Sequence, residues 1–285
     1  MKIISSPSEM KNLSLTYQLS GRTVGLVPTM GALHNGHLSL LKMASEQSDL
    51  KVMSIFVNPT QFGPKEDLAK YPRPFDRDCQ LAESAGCDII FAPTVQDMYP
   101  EHYSTFVDVE NITDSLCGAS RPGHFRGVAT VVLKLFNIVC PQMAVFGQKD
   151  AQQVVVIKRM IHDLNLSVRM VVAPIVREAD GLAMSSRNVY LSQRERGEVP
   201  RIYQSLNNAA ELFKMGERRS SVIRESLLAS LNGVQTFLPE YVEITDTVQL
   251  KSLSEITGAA LVAVACRTNE SKTRLIDNIL LGGEL

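Results

Sequence analysis

Thr23-Val24-Gly25-Leu26-Val27-Pro28-Thr29-Met30-Gly31-Ala32-Leu33-His34-Asn35-Gly36-His37 decides how this chain of 285 residues is read. An apolar, β-branched run passes through a proline and glycine turn into a segment with two histidines at helical spacing. The reading is strand, tight loop, helix N-terminus. That geometry suits a nucleoside triphosphate, because exposed N–H groups and the positive end of the helix dipole face the phosphates. Gly31 and Gly36 remove side chains that would keep backbone and ligand apart. His34 and His37 share one helical face and can both donate to the same oxyanion. Taken alone, the pair leaves two other readings open, a metal site and an inert surface pair.

Working outward, apolar β-branched runs at 23–27, 52–57, 88–91, 143–146 and 168–172 alternate with helical patterns, which implies βαβ units on a parallel sheet. Val128, Val131, Val132, Leu135, Phe136 and Val139 keep helical spacing and stop before Pro141, so this helix packs an apolar face on the sheet. Residues 150–164 read as a further helix. After Pro174 the pattern changes. Ser192-Gln193-Arg194-Glu195 is a capping box opening a helix toward Met215, a second helix covers 221–231, and strands are expected at 241–244, 261–266 and 275–280. The expected fold is α/β: a Rossmann-like parallel-sheet domain over 1–175, binding nucleotide and substrate, with a smaller α+β domain over 176–285.

Composition narrows the function. Lys and Arg number 29 against 30 Asp and Glu, giving a formal charge of −1 with the signs interspersed. No basic face is available for nucleic acid. No apolar run approaches the ~20 residues of a membrane span, and Met1-Lys2-Ile3-Ile4-Ser5-Ser6-Pro7 has no signal-peptide pattern, so a cytoplasmic protein is expected. The five cysteines (79, 87, 117, 140, 266) form no Cys-x-x-Cys and read as small apolar residues.

Four further stretches carry chemistry. Ser54-Ile55-Phe56-Val57-Asn58-Pro59-Thr60-Gln61-Phe62-Gly63 runs from a strand into a loop at its carboxyl end, where open α/β sheets bind ligands. The Gln61 carboxamide can donate and accept, and so can read a carboxylate and a hydroxyl, or it bonds local backbone. Phe146-Gly147-Gln148-Lys149-Asp150-Ala151-Gln152-Gln153 repeats strand, glycine, polar turn and helix. Lys149 brings an ammonium toward phosphate, Gln153 follows one helical turn later, and Asp150 also suits an N-cap. Asp180-Gly181-Leu182-Ala183-Met184-Ser185-Ser186-Arg187-Asn188 joins the two expected domains and offers hydroxyls, N–H groups and a guanidinium. Such a loop can close over a nucleotide and exclude water. Arg121 and His124, in Arg121-Pro122-Gly123-His124, either meet a carboxylate or phosphate or decorate a helix start.

The 28–37 block resembles the HxGH signature of the nucleotidyltransferase superfamily, shared with class I aminoacyl-tRNA synthetases. In its longer form, and with the other blocks in order over most of the first 190 residues, the chain resembles the pantothenate synthetase family. The resemblance implies ATP binding by Met30, Gly31, Ala32, Leu33, His34, Asn35, Gly36, His37, Gly147, Gln148, Lys149, Asp150, Val176, Met184, Ser185, Ser186 and Arg187. It implies a catalytic set of His34, His37, Lys149 and Arg187, with His37 a candidate proton donor. Pantoate falls to Gln61 and Gln153, and β-alanine to Gln61, with Asn58, Arg121 and His124 as further candidates. Asp78 matches a position near Mg²⁺ at the ATP phosphates, although an aspartate starting a helix is an ordinary sight. No organic cofactor is implied, and a homodimer joined through the first domain is. Two positions depart from the family pattern, Gln142 where aspartate is expected and Pro74 where threonine is expected, which puts local loop geometry in question.

The implied chemistry has two steps: pantoate and MgATP give pantoyl adenylate and pyrophosphate, then β-alanine displaces AMP to give pantothenate. A carboxylate is already ionised at neutral pH, so alignment and charge neutralisation are the protein's main tasks. The alternatives are a nucleotidyltransferase whose product keeps the nucleotide and a nucleotide sensor without turnover. The Gln61 and Gln153 pair argues against the sensor.

Overall fold

The computed structural model describes residues 1–64 and 66–285. Six strands, β1 (Lys2–Ile4), β2 (Val24–Thr29), β3 (Leu50–Ile55), β4 (Ile89–Phe91), β5 (Met143–Gly147) and β6 (Arg169–Ala173), form one parallel sheet ordered β1-β4-β3-β2-β5-β6. The five strands expected from sequence lie within two residues of their expected ends. The sixth, β1, was not anticipated: three residues are too few to show a periodicity, and the strand is defined by its pairing with β4.

Helices connect the strands. They are α1 (Pro7–Leu19), α2 (Asn35–Ser45), α3 (Phe75–Ser84), α4 (Val95–Met98), α5 (Leu116–Ser120), α6 (His124–Val139) and α7 (Ala151–Asp163). The Ser6 hydroxyl caps α1, and Pro7 occupies its first turn, where a missing N–H costs nothing. The apolar face predicted for α6 is buried, and the helix ends at Cys140 in a left-handed conformation just before Pro141.

Strand order sets where ligands can go. From β2 the sheet grows to β3 on one side and to β5 on the other. The carboxyl ends of β2 and β5 therefore flank a topological switch point, the usual ligand crevice of open α/β sheets. The histidine loop leaves β2, and Gly147 closes β5. Beneath them Val27, Leu41, Met53, Ile90, Val145 and Ala173 form an apolar core.

The chain divides into two compact units that interleave along the sequence. One comprises Met1–Glu110, Ser120–Gly147 and Val156–Ala173; the other comprises Asn111–Ala119, Gln148–Val155 and Pro174–Leu285. In the second, β7 (Phe237–Asp246), β8 (Ala260–Thr268) and β9 (Arg274–Leu281) make an antiparallel sheet with β8 central. Helices α8 (Gln193–Glu198), α9 (Arg201–Lys214) and α10 (Ser220–Asn232) belong to the same unit, and Ile202, Leu206, Ile223, Leu227, Phe237, Val262 and Val264 pack its core.

The single helix expected from 192 to 215 is two helices, because Pro200 has no N–H to continue the ladder. Its capping box is present: Ser192 and Glu195 exchange side-chain and backbone bonds. Glu195 also accepts from the N–H groups of Glu270 and Ser271, tying α8 to the β8–β9 turn. Burial pushes this carboxyl up, but its backbone and hydroxyl donors outweigh burial and hold it at about 2. All five cysteines are free thiols. Among the described residues no helix is long and apolar enough to cross a membrane.

Candidate functional site

The histidine loop is built by its own sequence. Gly31 has φ of +83°, and a Cβ there would stand 2.9 Å from Asp78 Oδ2 and 3.1 Å from Ile55 Cγ2, so only glycine fits. Ala32 follows at φ +51°. Thr29 Oγ1 accepts from the Gly31 N–H and donates to the Ser54 carbonyl, fastening the loop to β3. His34 caps α2 through a reciprocal pair: Gly36 N–H donates to His34 Nδ1 at 3.1 Å, and His34 N–H donates to His37 Nδ1 at 3.3 Å. A nitrogen that accepts cannot carry the proton, so each neutral ring carries it on Nε2. The rings are 4.1 Å apart between centroids, presenting two N–H donors from one helix start.

Asp78 completes this loop. Its carboxylate accepts from Ala32 N–H at 2.8 Å and Leu33 N–H at 2.7 Å, and the residue is 1% exposed. Burial pushes the carboxyl up, against the pull of those two donors. Asp78 does lie in the first turn of α3, as a helix-starting aspartate should, but its oxygens are spent on the loop. It does not fit as an exposed Mg²⁺ ligand, and among the described residues no group of three or more His, Cys, Asp or Glu forms a cage. Mg²⁺ in nucleotide sites is held largely by phosphates and water, a mode that needs no such cage.

Gln61 lies in a 3-10 turn, Pro59–Gln61, beyond β3 and is 9% exposed. Asn58 sets its orientation. Asn58 Nδ2 donates to Gln61 Oε1 at 3.0 Å and to the Gly127 carbonyl at 3.1 Å, while Asn58 Oδ1 accepts from Thr60 and from Tyr99 Oη. The Gln61 oxygen is thereby occupied, and its Nε2 turns toward Met30 Sδ. Gly127 lets α6 pass against this turn; a Cβ there would meet the Thr60 carbonyl oxygen at 2.4 Å.

Arg121 and His124 serve the same turn. Arg121 makes a two-toothed pair with Glu66 and donates to the Gln61 carbonyl, and its Nη1 faces His124 Nε2 at 3.1 Å. His124 Nδ1 donates to that same carbonyl at 2.8 Å. In this structure the two residues hold the main chain of Gln61, a task between the open alternatives read from sequence. The departures are benign: Gln142 Oε1 accepts from the β2 residue Val24, and Pro74 stands just before α3.

In the second unit, Gln148–Asp150 forms a 3-10 turn leading into α7. Among the described residues, no ion pair or hydrogen bond takes up the Lys149 ammonium or the Gln153 carboxamide. The adjacent Gln152 is buried instead, tying down the 112–117 segment through Ile112, Ser115 and Cys117. Val176 accepts from Met184 N–H, and Arg177 bridges Ala183, so the 176–184 stretch is a tight hairpin turning at Gly181 (φ +93°). Ser185 Oγ caps the 3-10 segment Ser186–Tyr190 by accepting from Arg187 N–H. Asp277 and Asn278, unremarked in the sequence, both bond into these segments.

A parallel α/β sheet whose switch-point loop carries capped histidines is the architecture of a nucleotide-binding enzyme. The chain belongs to the pantoate-beta-alanine ligase family, whose model matches residues 2–280. It is 53% identical over 281 residues to pantothenate synthetase of Acetivibrio thermocellus, covering 99% of both chains. With the enzyme of Thermotoga petrophila the identity is 52% over 282 residues, covering 99% of this chain and all of the relative. The crystal structure of pantothenate synthetase from Thermus thermophilus superposes with a TM-score of 0.92 at 43% identity, covering 98% of this chain and 99% of that one. A pantoate-beta-alanine ligase from Francisella tularensis, complexed with beta-gamma ATP and beta-alanine, gives 0.78 at 31% identity, covering 98% and 97%.

Proposed function

We propose that this protein condenses pantoate with β-alanine, using ATP, through a pantoyl adenylate that releases pyrophosphate and then AMP. The observation that carries the reading is the Gln61 turn at the end of β3, in a chain with full-length ligase relatives. With its oxygen accepting from Asn58 and one N–H turned to Met30 Sδ, the Gln61 carboxamide keeps a second N–H, a donor that suits a carboxylate. The complex of the Francisella relative with beta-gamma ATP and beta-alanine supports ATP as a substrate.

In this reading pantoate, already ionised, needs no base to attack the α-phosphorus. Gln61 and Gln153 orient it, and positioning of this kind can supply ~7–11 kcal/mol. His34 and His37 donate Nε2–H bonds to phosphate oxygens, while Lys149, Ser185, Ser186 and Arg187 balance the growing charge on the triphosphate. Main-chain groups of Met30 to Leu33, Asn35, Gly36, Gly147, Gln148, Asp150, Val176 and Met184 frame the nucleotide. The amine of β-alanine then displaces AMP. Mg²⁺ bound to the nucleotide phosphates would neutralise charge there, and the Asp78 carboxylate, spent on the Ala32 and Leu33 N–H groups, would not hold it. Homodimer formation and residence in the cytoplasm belong to the same proposal; free thiols suit a reducing compartment.

The test is isotope exchange between labelled pyrophosphate and ATP. Exchange with pantoate and without β-alanine is expected. Exchange that appears only once β-alanine is added would replace the stepwise route with an amine-triggered one.

A further inference from the structure

Two adjacent residues of β9, Asp277 and Asn278, are 5% and 3% exposed. Buried polar side chains are costly unless every group finds a partner, so their partners show what they are for. Asn278 Nδ2 donates to two successive carbonyls, Gln148 O and Lys149 O, each at 3.0 Å. Its Oδ1 accepts from Gln148 Nε2 at 3.2 Å. One carboxamide thus grips one turn at three points. Asp277 meets Arg177 in a fork at 2.6 and 2.9 Å. Arg177 donates onward to the Gly181 carbonyl at 3.0 Å, and its guanidinium lies 3.6 Å over the Tyr203 ring. Gly181 is seated on that same ring, where a Cβ would come within 2.5 Å of Tyr203 Cδ1.

We infer that Asp277 and Asn278 are positioning residues for adenylation, Asn278 fixing the turn that presents Lys149 and Asp277 fixing, through Arg177, the hairpin that feeds Met184 to Arg187. One strand thereby sets the placement of two charge-balancing segments that lie 27 or more residues apart in sequence, between Lys149 and Val176. The inference rests on the phosphate-binding reading of Lys149. Fixing the main chain at Lys149 places its Cα but leaves the long side chain its own torsions, so loss of the brace should cost less than loss of the lysine itself.

The experiment is a double-mutant cycle read by pantoate-dependent pyrophosphate exchange. Asn278→Asp keeps the shape of the side chain but removes both N–H donors. Expected is a loss of about tenfold in exchange rate, within the ~10²-fold that an ångström-scale misplacement can cause, with the KM for pantoate within twofold of wild type. Placed on Lys149→Ala, the same substitution should cost less than twofold, because the group it positions is gone. An equal factor in both backgrounds, or no loss in the single variant, overturns the inference and makes Asn278 a structural residue only. Circular dichroism checks folding at the assay temperature. If Asn278→Asp does not fold, Asn278→Ser, which keeps one donor, is read through the same cycle. Wild-type exchange in Lys149→Ala alone would instead overturn the reading of Lys149, a separate failure from that of Asn278.

Discussion

The histidine loop and the Lys149 turn have the same plan, a strand, a glycine at or just past its end and a polar turn entering a helix, yet they are held in opposite ways. The first is fastened from nearer in the sequence: by Thr29, by the reciprocal His34 and His37 cap, and by Asp78, 45 and 46 positions from the residues it holds. The second is fastened by Asn278, 129 and 130 positions away. The histidine loop is organised once β2, β3, α2 and α3 are in place. A loop held from a distant strand is organised only when that strand has docked, and closing the longer loop carries the greater entropic cost.

The comparison breaks most sharply at the charged group itself. Lys149→Ala should lower single-turnover adenylate formation by ~10²–10³, the usual cost of removing one charge-stabilising donor. A rate within threefold of wild type would mean that the histidine loop alone carries the triphosphate. Asp78→Asn tests the other side. An amide can accept from only one of the two loop N–H groups and turns a donor toward the other, leaving it buried without a partner at ~1–3 kcal/mol. The ATP KM should rise about tenfold, the equivalent of ~1.4 kcal/mol, while the Mg²⁺ concentration for half-maximal rate stays put. A shift in Mg²⁺ dependence with an unchanged ATP KM would return Asp78 to the metal.

The smallest effect on activity is expected at Glu195, whose partners lie at Ser192, Glu270 and Ser271. Its folded-state pKa, about 2, lies below the ordinary carboxylate value. A depressed pKa contributes stability that is fully present above the unfolded value of ~4.3 and is lost as pH falls through about 2. Glu195→Gln should therefore lower the unfolding midpoint at neutral pH while leaving turnover of the folded enzyme within twofold. The gap between variant and wild type should close as pH drops from about 5 toward 2. A gap that is constant with pH would show that the carboxylate charge is not what holds the turn.

What the sequence displayed follows the same division. The β2 loop and α2 were legible because glycine, proline and a His-x-x-His cap act within a few residues of themselves, and α6 because its apolar spacing is regular over the whole helix. Gln61 is legible in the sequence as a candidate ligand reader, but its fixed orientation is not, since that depends on Asn58 and on Gly127 from another element. Arg121 and His124 carried the right residue types for anion binding. Only the fold shows them turned to Glu66 and to a carbonyl. Asp277 and Asn278 sit in an apolar strand pattern where nothing local marks them, because their meaning lies in backbone atoms of segments far up the chain.

Asn278 also has a consequence for the order in which the protein is made. Translation proceeds from the N-terminus at ~5–20 residues per second, so the 129 residues between Lys149 and Asn278 take roughly 6–26 s to appear. Throughout that interval the nascent chain already holds Thr29, His34, His37 and Asp78, which fasten the histidine loop, but not the carboxamide that shapes the Lys149 turn. A ribosome-bound chain passes through a stage at which those four residues are present and the Lys149 turn still lacks Asn278. If Lys149 balances charge as proposed, competence for adenylation arrives only when nearly the whole polypeptide has been synthesised.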